Sequence, residues 1–118
     1  MESICEIKEI YKSLYLFEKK FLENNEITIN EALVLCCLKD EQPKTAGEIC
    51  EYIGLSHSRI SRIINSVEEK QLIYRKLGVE DKRQMIFELT AKGKKKVTIM
   101  LKNKISFEDF LKSLKIEN

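Results

Sequence analysis

The segment from Thr45 to Gly93 constrains the fold of this 118-residue chain more than any other. The sequence Thr-Ala-Gly-Glu at its start has the spacing of a capping box and predicts a short helix. Gly54, which readily takes a positive φ, would end that helix. Ser56 has the side chain of an N-cap, so we predict a second helix over residues 57–70. Two helices joined by so short a turn predict a helix–turn–helix, which presents its second helix to the major groove of DNA.

The predicted second helix has one apolar and one polar face. Its apolar residues recur at the i, i+3, i+4, i+7 spacing of a buried stripe; they are Ile60, Ile63, Ile64 and Val67. The opposite face carries two arginines among short Ser, Asn and His side chains, which can hydrogen-bond base edges and phosphates. We therefore predict DNA contacts from Ser56, His57, Ser58, Arg59, Ser61, Arg62 and Asn65. Acidic residues, which would repel DNA, are absent from positions 55–67, although an ordinary solvated helix face is the alternative.

A β-hairpin is predicted directly after this helix. Residues 72–77 and 84–89 have strand character, and a turn from Gly78 to Lys82 joins them. Lys82 and Arg83 lie at the tip, where a long cation can reach the minor groove or nearby phosphates. Asp81 would repel phosphate, so we predict that it holds and orients Arg83 through a charge-assisted hydrogen bond. The alternative is a surface hairpin with solvated charges.

The N-terminal part of the sequence predicts two further helices. Residues 3–23 carry apolar side chains at spacings of three and four, which indicates one long amphipathic helix. A second helix is predicted to begin near Asn30, with that residue as its N-cap. It is apolar on nearly every side and is predicted to be the buried central helix. Residues 40–44 are predicted to form a loop, because Pro43 cannot continue a helix.

The C-terminal part predicts two more helices. Thr90 is the predicted N-cap of a helix that extends to about Asn103, and a last short helix is predicted to begin at Ser106. The element order is then α-α-α-α-β-β-α-α, without an internal repeat or a linker. This order predicts a mainly α protein with a small β-hairpin wing, a winged helix-turn-helix, in a single domain over residues 1–118.

The net charge of +2 conceals a division along the chain. Residues 1–54 hold 6 Lys/Arg and 11 Asp/Glu, a balance of −5, whereas residues 55–118 hold 15 and 8, a balance of +7. The basic half contains the predicted recognition helix and wing. Such an asymmetry is typical of a protein that binds DNA, although a merely solvated lysine-rich surface would give the same count.

Several classes of site are not indicated by the residues. Cys5, Cys36, Cys37 and Cys50 form no C-x-x-C pair, and His57 is the only histidine, so neither a metal nor a cofactor is predicted. No apolar run approaches the roughly 20 residues that span a bilayer. The acidic N-terminus lacks the features of a signal peptide, so we expect a cytoplasmic protein without membrane contact. No nucleophile–base pair, glycine-rich phosphate loop or paired carboxylates predict an enzyme.

Two stretches together resemble the MarR family of transcriptional regulators. The first runs from Asp81 to Gly93 and follows the family's wing pattern, Asp-x-Arg, an apolar residue, a spacer, Leu-Thr and a glycine three residues later. The second, from Thr45 to Ile73, is similar to the family's helix–turn–helix. The resemblance covers roughly residues 30–95. It implies a sequence-specific regulator, a repressor, that binds a pseudo-palindromic operator in double-stranded DNA.

The resemblance also implies a homodimer with intertwined terminal helices. Residues 1–23 and 94–118 would form the dimerisation region and residues 28–93 the DNA-binding lobe. The residues support this independently, because the apolar stripe on residues 4–22 and the C-terminal apolar positions exceed what one small lobe can cover. Those C-terminal positions are Val97, Met100, Leu101, Ile105, Phe107, Phe110, Leu111 and Leu114. The alternative is that both ends pack only on their own chain.

Two kinds of effector follow from the resemblance. Family members often respond to small aromatic compounds bound between the dimer helices and the lobe, and Tyr11, Tyr15 and Phe17 are the candidate contacts, with ordinary core packing as the alternative. Other members sense peroxide through a cysteine near the first helix, which makes Cys5 a candidate for a thiol-based redox sensor. A different alternative to a DNA-binding regulator is a winged-helix protein-interaction module without DNA binding. The cations Arg59, Arg62, Lys82 and Arg83 argue against that module.

Overall fold

The computed structural model of the chain describes residues 4–102 and residue 112. Within these described residues, a short 3-10 turn, Ile4–Glu6, precedes five α-helices and three β-strands. These elements are α1 (Ile7–Asn25), α2 (Ile29–Cys37), β1 (Lys44–Thr45), α3 (Ala46–Ile53), α4 (His57–Glu69), β2 (Ile73–Leu77), β3 (Met85–Leu89) and α5 (Ala91–Lys102). The predicted fold class, mainly α with a small β-hairpin, is confirmed. The last helix predicted from Ser106 lies outside the described residues.

The predicted capping signals form the ends of α3 and α4. The Glu48 amide donates to Thr45 Oγ1 at 3.1 Å, and the Thr45 amide donates to Glu48 Oε1 at 3.0 Å, so both halves of the capping box are present. Gly54 ends α3 in the left-handed region with φ of 81°. Ser56 Oγ then accepts from the Arg59 amide at 3.4 Å and caps α4. Local side-chain chemistry therefore defines the helix–turn–helix.

Two predicted boundaries are wrong. Helix α2 begins at Ile29, so Asn30 lies inside its first turn and is not the N-cap. Lys44 was predicted in a loop, but it forms β1 with Thr45 and pairs antiparallel with β3, Lys44 opposite Phe87. The sheet therefore has three strands in the order β1-β3-β2. A strand of two residues is too short to show the alternation by which strands are recognised in a sequence.

Helix α2 is buried on most sides, as its apolar composition predicts. Helix α2, the residue that follows it, α3 and α4 supply the largest side chains that are almost wholly inaccessible within Asn30–Ile99; these are Val34, Leu35, Leu38, Ile49, Ile60 and Val67. The chain divides into two compact units, of which Asn30–Ile99 is one. The other, which we call the first unit, contains the described residues up to Ile29 and from Met100 onwards.

The first unit contains α1, which leaves much of its apolar surface exposed. Its exposed large apolar side chains are Ile10, Tyr11, Leu14, Tyr15, Leu16 and Leu22. Glu26 ends α1 in the left-handed region, and its amide donates to the Leu22 carbonyl at 2.8 Å. Across the described residues, none of the helices combines the length and apolar character needed to cross a bilayer.

Candidate nucleic-acid interface

The predicted DNA-contacting residues of α4 all lie on its exposed side. Ile60, Ile64 and Val67 anchor the opposite side in the core. The exposed residues are Ser56, His57, Ser58, Arg59, Ser61, Arg62 and Asn65. The structure thus brings the predicted set together on one surface without an acidic residue in the first turn of the helix. The positive end of the helix dipole adds to the attraction of this surface for phosphate.

A buried carboxylate, which the sequence analysis did not single out, joins α2 to α4. Glu31 Oε1 lies 2.7 Å from Lys70 Nζ, and the hydroxyl of Ser66 donates to Glu31 Oε2. Because a buried charge must be paired to be tolerated, these contacts fix the C-terminal half of α4 on α2. The only sequence signal for this pairing was an acidic residue beside the apolar run of α2.

An arginine on the wing, also missed by the sequence analysis, contacts α4. Arg75 Nε donates to Glu68 Oε2 at 2.9 Å, and its Nη2 donates to Glu68 Oε1 and, at 3.4 Å, to Asn65 Oδ1. The guanidinium carbon lies 5.3 Å from the centre of the Phe87 ring. We call these four residues the Arg75 cluster. The only sign of this cluster in the sequence was Arg75 itself, a cation on the same face of β2 as Ile73 and Leu77.

The tip of the wing carries the predicted cations. The amide of Gly78 donates to the Gln84 carbonyl at 2.7 Å and closes the turn. Asp81 Oδ1 accepts from the amide of Arg83 at 3.0 Å and from its Nε at 3.2 Å. The side chain of Arg83 is 93% exposed, so the rest of its guanidinium faces solvent. The contact predicted for Asp81 is therefore present, while its role in orienting Arg83 toward DNA stays a prediction.

The outer face of the hairpin holds a separate polar group. Glu88 accepts a hydrogen bond from the hydroxyl of Tyr74, and its Oε1 lies 3.1 Å from Lys76 Nζ. These contacts, that of Tyr74 first, lower the pKa of the Glu88 carboxyl, and the same hydrogen bond raises the pKa of Tyr74. Lys76 therefore has an acidic partner on its own strand pair, as Arg83 has in Asp81 at the tip.

Two sequence comparisons establish the protein family of this chain. The model of the MarR family matches residues 27–85, half of the chain, including α4 and the tip of the wing. The HTH-type transcriptional regulator YwoH of Bacillus subtilis is 32% identical over 108 residues, which are 89% of this chain and 78% of that protein. The chain belongs to the MarR family. Its predicted class, a non-enzymatic transcriptional regulator, is thereby confirmed.

Solved structures of MarR-family regulators share this fold. The S. aureus MepR–DNA complex is 23% identical with a TM-score of 0.80, and the match covers 99% of this chain and 88% of that chain. BpsR of Bordetella bronchiseptica is 16% identical, also with a TM-score of 0.80, over 99% of this chain and 83% of that chain. The winged helix-turn-helix predicted from the sequence is confirmed by these similarities.

The three aromatic residues predicted to contact a MarR-type effector do not share one face of α1. Tyr11 and Tyr15 are 68% and 65% exposed, and at 100° per residue they lie within about 40° of each other. Phe17 is half-buried and packs against Phe21 with ring centres 6.1 Å apart. It lies about 160° from Tyr15 around the helix. Effector contact by these residues stays a prediction.

The cysteines differ in their surroundings. Burial raises the pKa of the Cys36 and Cys37 thiols, which lowers the thiolate fraction on which oxidation depends. The thiol of Cys50 donates to the Leu55 carbonyl at 2.9 Å, and Cys5 is exposed. Among residues 4–102 and 112, no group of three or more His, Cys, Asp or Glu is arranged to hold a metal ion.

We expect Cys36 and Cys37 to be alkylated more slowly than Cys5 in the native protein. The reason is that burial disfavours the charged thiolate at both positions, whereas Cys5 is exposed. The measurement is mass spectrometry of peptides after timed exposure to iodoacetamide at neutral pH. Protein unfolded in urea is the control, in which the difference should disappear. Faster labelling of Cys36 or Cys37 than of Cys5 would contradict the prediction.

Proposed function

We propose that this MarR-family protein is a cytoplasmic repressor that binds a pseudo-palindromic operator in duplex DNA as a homodimer. Helix α4 enters the major groove, and the wing contacts the minor groove and adjacent phosphates. The observation that carries the proposal is the exposed face of α4, where Arg59 and Arg62 stand among short polar side chains and positions 57–67 hold no carboxylate. This combination can read base edges and hold phosphates at the same time.

Two acidic residues near this surface support the proposal by their pairing. Glu68, toward the C-terminal end of α4, is bound to Arg75, and Asp81 in the wing is bound to Arg83. Each carboxylate therefore lies against a guanidinium, which reduces its repulsion of phosphate. Pairing of Glu68 and Asp81 therefore leaves the cations of α4 and of the wing tip less opposed by these two charges.

The exposed apolar surface of the first unit supports the homodimer. A stable monomer rarely exposes a large contiguous apolar surface, yet α1 exposes six large apolar side chains, and Leu101 of α5 is exposed as well. A second copy of the chain would cover these residues. Two lobes held in this way predict a palindromic operator, because the two-fold axis of the dimer would be repeated in the DNA.

We also propose release from DNA by a small aromatic effector, with Tyr11, Tyr15 and Phe17 as candidate contacts. The support is the similarity to BpsR, whose DNA binding is regulated by 6-hydroxynicotinic acid. The alternative is a thiol-based redox sensor with Cys5 as its candidate; burial raises the pKa of Cys36 and Cys37, which makes these two thiols less suited to that role.

The experiment that tests the proposed function is selection of bound sequences from a random duplex pool with the purified protein. We expect an inverted repeat with half-sites about one helical turn apart. Recovery of no sequence by the folded protein would contradict the proposal and favour a winged-helix module that binds another protein. Weak retention on DNA that does not depend on salt would favour the same module.

Single alanine substitutions should separate base contacts from phosphate contacts on the selected operator. Arg62→Ala should cost about 1–3 kcal/mol of binding free energy and relax the sequence preference if the side chain reaches a base. Arg83→Ala should weaken binding to all sequences and reduce the slope of log K against log salt by about 1. Fluorescence anisotropy with a labelled duplex at several salt concentrations measures both. Unchanged affinity in both variants would contradict the assignment of these residues.

A further inference from the structure

Arg75 lies on the inner face of the wing, next to the core. On the inner face of the hairpin, Ile73 pairs with Leu89 in the core. The next pair on this face, one step closer to the tip of the wing, is Arg75 with Phe87. Arg75 therefore occupies the place where the inner face of the wing leaves the core and runs beside α4. Its side chain is 46% exposed and that of Glu68 is 22% exposed.

The hydrogen bonds of Arg75 reach α4. Both oxygens of Glu68 accept from the guanidinium, one from Nε and one from Nη2, which is the two-bond geometry that favours arginine over lysine. The same Nη2 contacts Asn65 Oδ1, and the guanidinium stacks on Phe87, which lies on β3. One side chain therefore joins α4 to both strands of the wing.

An exposed ion pair between single charges contributes little to stability, because solvent screens it and two long side chains must be ordered. The Arg75 cluster differs because its geometry is bidentate, the carboxylate is partly shielded and the guanidinium also contacts an aromatic ring. It also includes Asn65, a predicted DNA-contacting residue. With Asn65 Oδ1 accepting from Arg75, the amide NH2 of Asn65 is the group left to donate to DNA.

We propose that Arg75 is a positioning residue that holds the wing against α4, so that the DNA contacts of the wing tip and of the recognition helix form as one unit. This inference rests on the proposed function. It assigns to Arg75 no contact with DNA; its effect is exerted through Glu68 and Asn65 on one side and Phe87 on the other. Without it, the wing would have to be ordered during binding, and that ordering would reduce the benefit of the contacts at the tip.

The first test is a double-mutant cycle on the selected operator. In the wild-type background, Arg83→Ala should weaken binding about tenfold. In an Arg75→Gln background the same substitution should cost much less, since a wing that is not held gains little from Arg83. Arg62→Ala should keep its full cost in both backgrounds, because Arg62 lies on α4 itself.

The matched variants decide whether the effect belongs to the cluster. Glu68→Gln should reproduce the loss caused by Arg75→Gln, and the two together should be no worse than either alone. Lys76→Gln removes the same charge from the same strand on its outer face, and its cost should add to that of Arg83→Ala. Additive costs for Arg75→Gln and Arg83→Ala would overturn the inference.

The second test needs no DNA and is amide hydrogen exchange across residues 73–89. Arg75→Gln and Glu68→Gln should speed exchange in the outer part of the hairpin while leaving α2 protected, and Lys76→Gln should not. If the wild-type protein binds no operator, the proposed function fails, and exchange alone decides the inference. Unchanged exchange in both cluster variants would then overturn it.

Discussion

Reversing the charge of Arg62 is expected to weaken binding of duplex DNA by about 100-fold or more. Arg62 lies on the exposed face of α4, where the proposed function places DNA bases and phosphates. Arg62→Glu removes a cation from this face of α4 and puts a carboxylate in its place. A like charge held against phosphate costs several kcal/mol in addition to the lost contact. Anisotropy titrations of a labelled operator at fixed salt measure the effect.

The control for this reversal is Lys95→Glu. Lys95 is exposed on α5, and its substitution changes the net charge of the protein by the same amount as Arg62→Glu. A small, salt-sensitive loss is expected from Lys95→Glu, because it changes only the long-range field of the protein. Equal losses in the two variants would mean that overall charge, rather than the face of α4, determines DNA binding. Circular dichroism spectra should show both variants folded.

Replacing Gly93 by alanine is expected to lower the free energy of unfolding by about 3 kcal/mol. A Cβ at this position would lie 2.0 Å from the carbonyl oxygen of Leu72. That oxygen accepts a hydrogen bond from the Thr90 amide at 3.0 Å, and Leu72 is buried. Neither the Leu72 backbone nor the start of α5 can therefore move away without breaking other contacts. Thermal unfolding at a fixed protein concentration should show a Tm lower by about 10 °C.

Gly47 provides the matched control for Gly93. Both glycines follow a threonine N-cap in the first turn of a helix, but the nearest atom to a Cβ on Gly47 is Thr45 Oγ1 at 3.8 Å. Alanine has the higher helix propensity, so Gly47→Ala should be neutral or stabilise by up to about 1 kcal/mol. Similar effects of the two substitutions would show that lost backbone freedom, rather than the close approach to Leu72, determines the result for Gly93.

The candidate site was accessible to sequence reasoning where its signals are local. The polar face of α4 follows from the spacing of Ile60, Ile64 and Val67, which turns the remaining residues outward. The pairing of Asp81 with Arg83 joins residues two positions apart within one turn. Arg75 was missed because its position within β2 carries no information about which residue lies opposite. Tyr11, Tyr15 and Phe17 were grouped by aromatic character, although the helical rotation places Phe17 on another side of α1.

By itself, the sequence determined both ends of α3, the start of α4, the turn at Gly54, the exposed face of α4 and the basic tip of the wing. In each of these, the interacting groups lie within about one helical turn or one hairpin turn of each other, and the contact follows from spacing and side-chain chemistry. The pairing of β1 with β3, the Glu31 contacts with Ser66 and Lys70, and the Arg75 cluster were decided only by the tertiary structure. These contacts join separate secondary-structure elements, and they form only once packing of the core has brought those elements together.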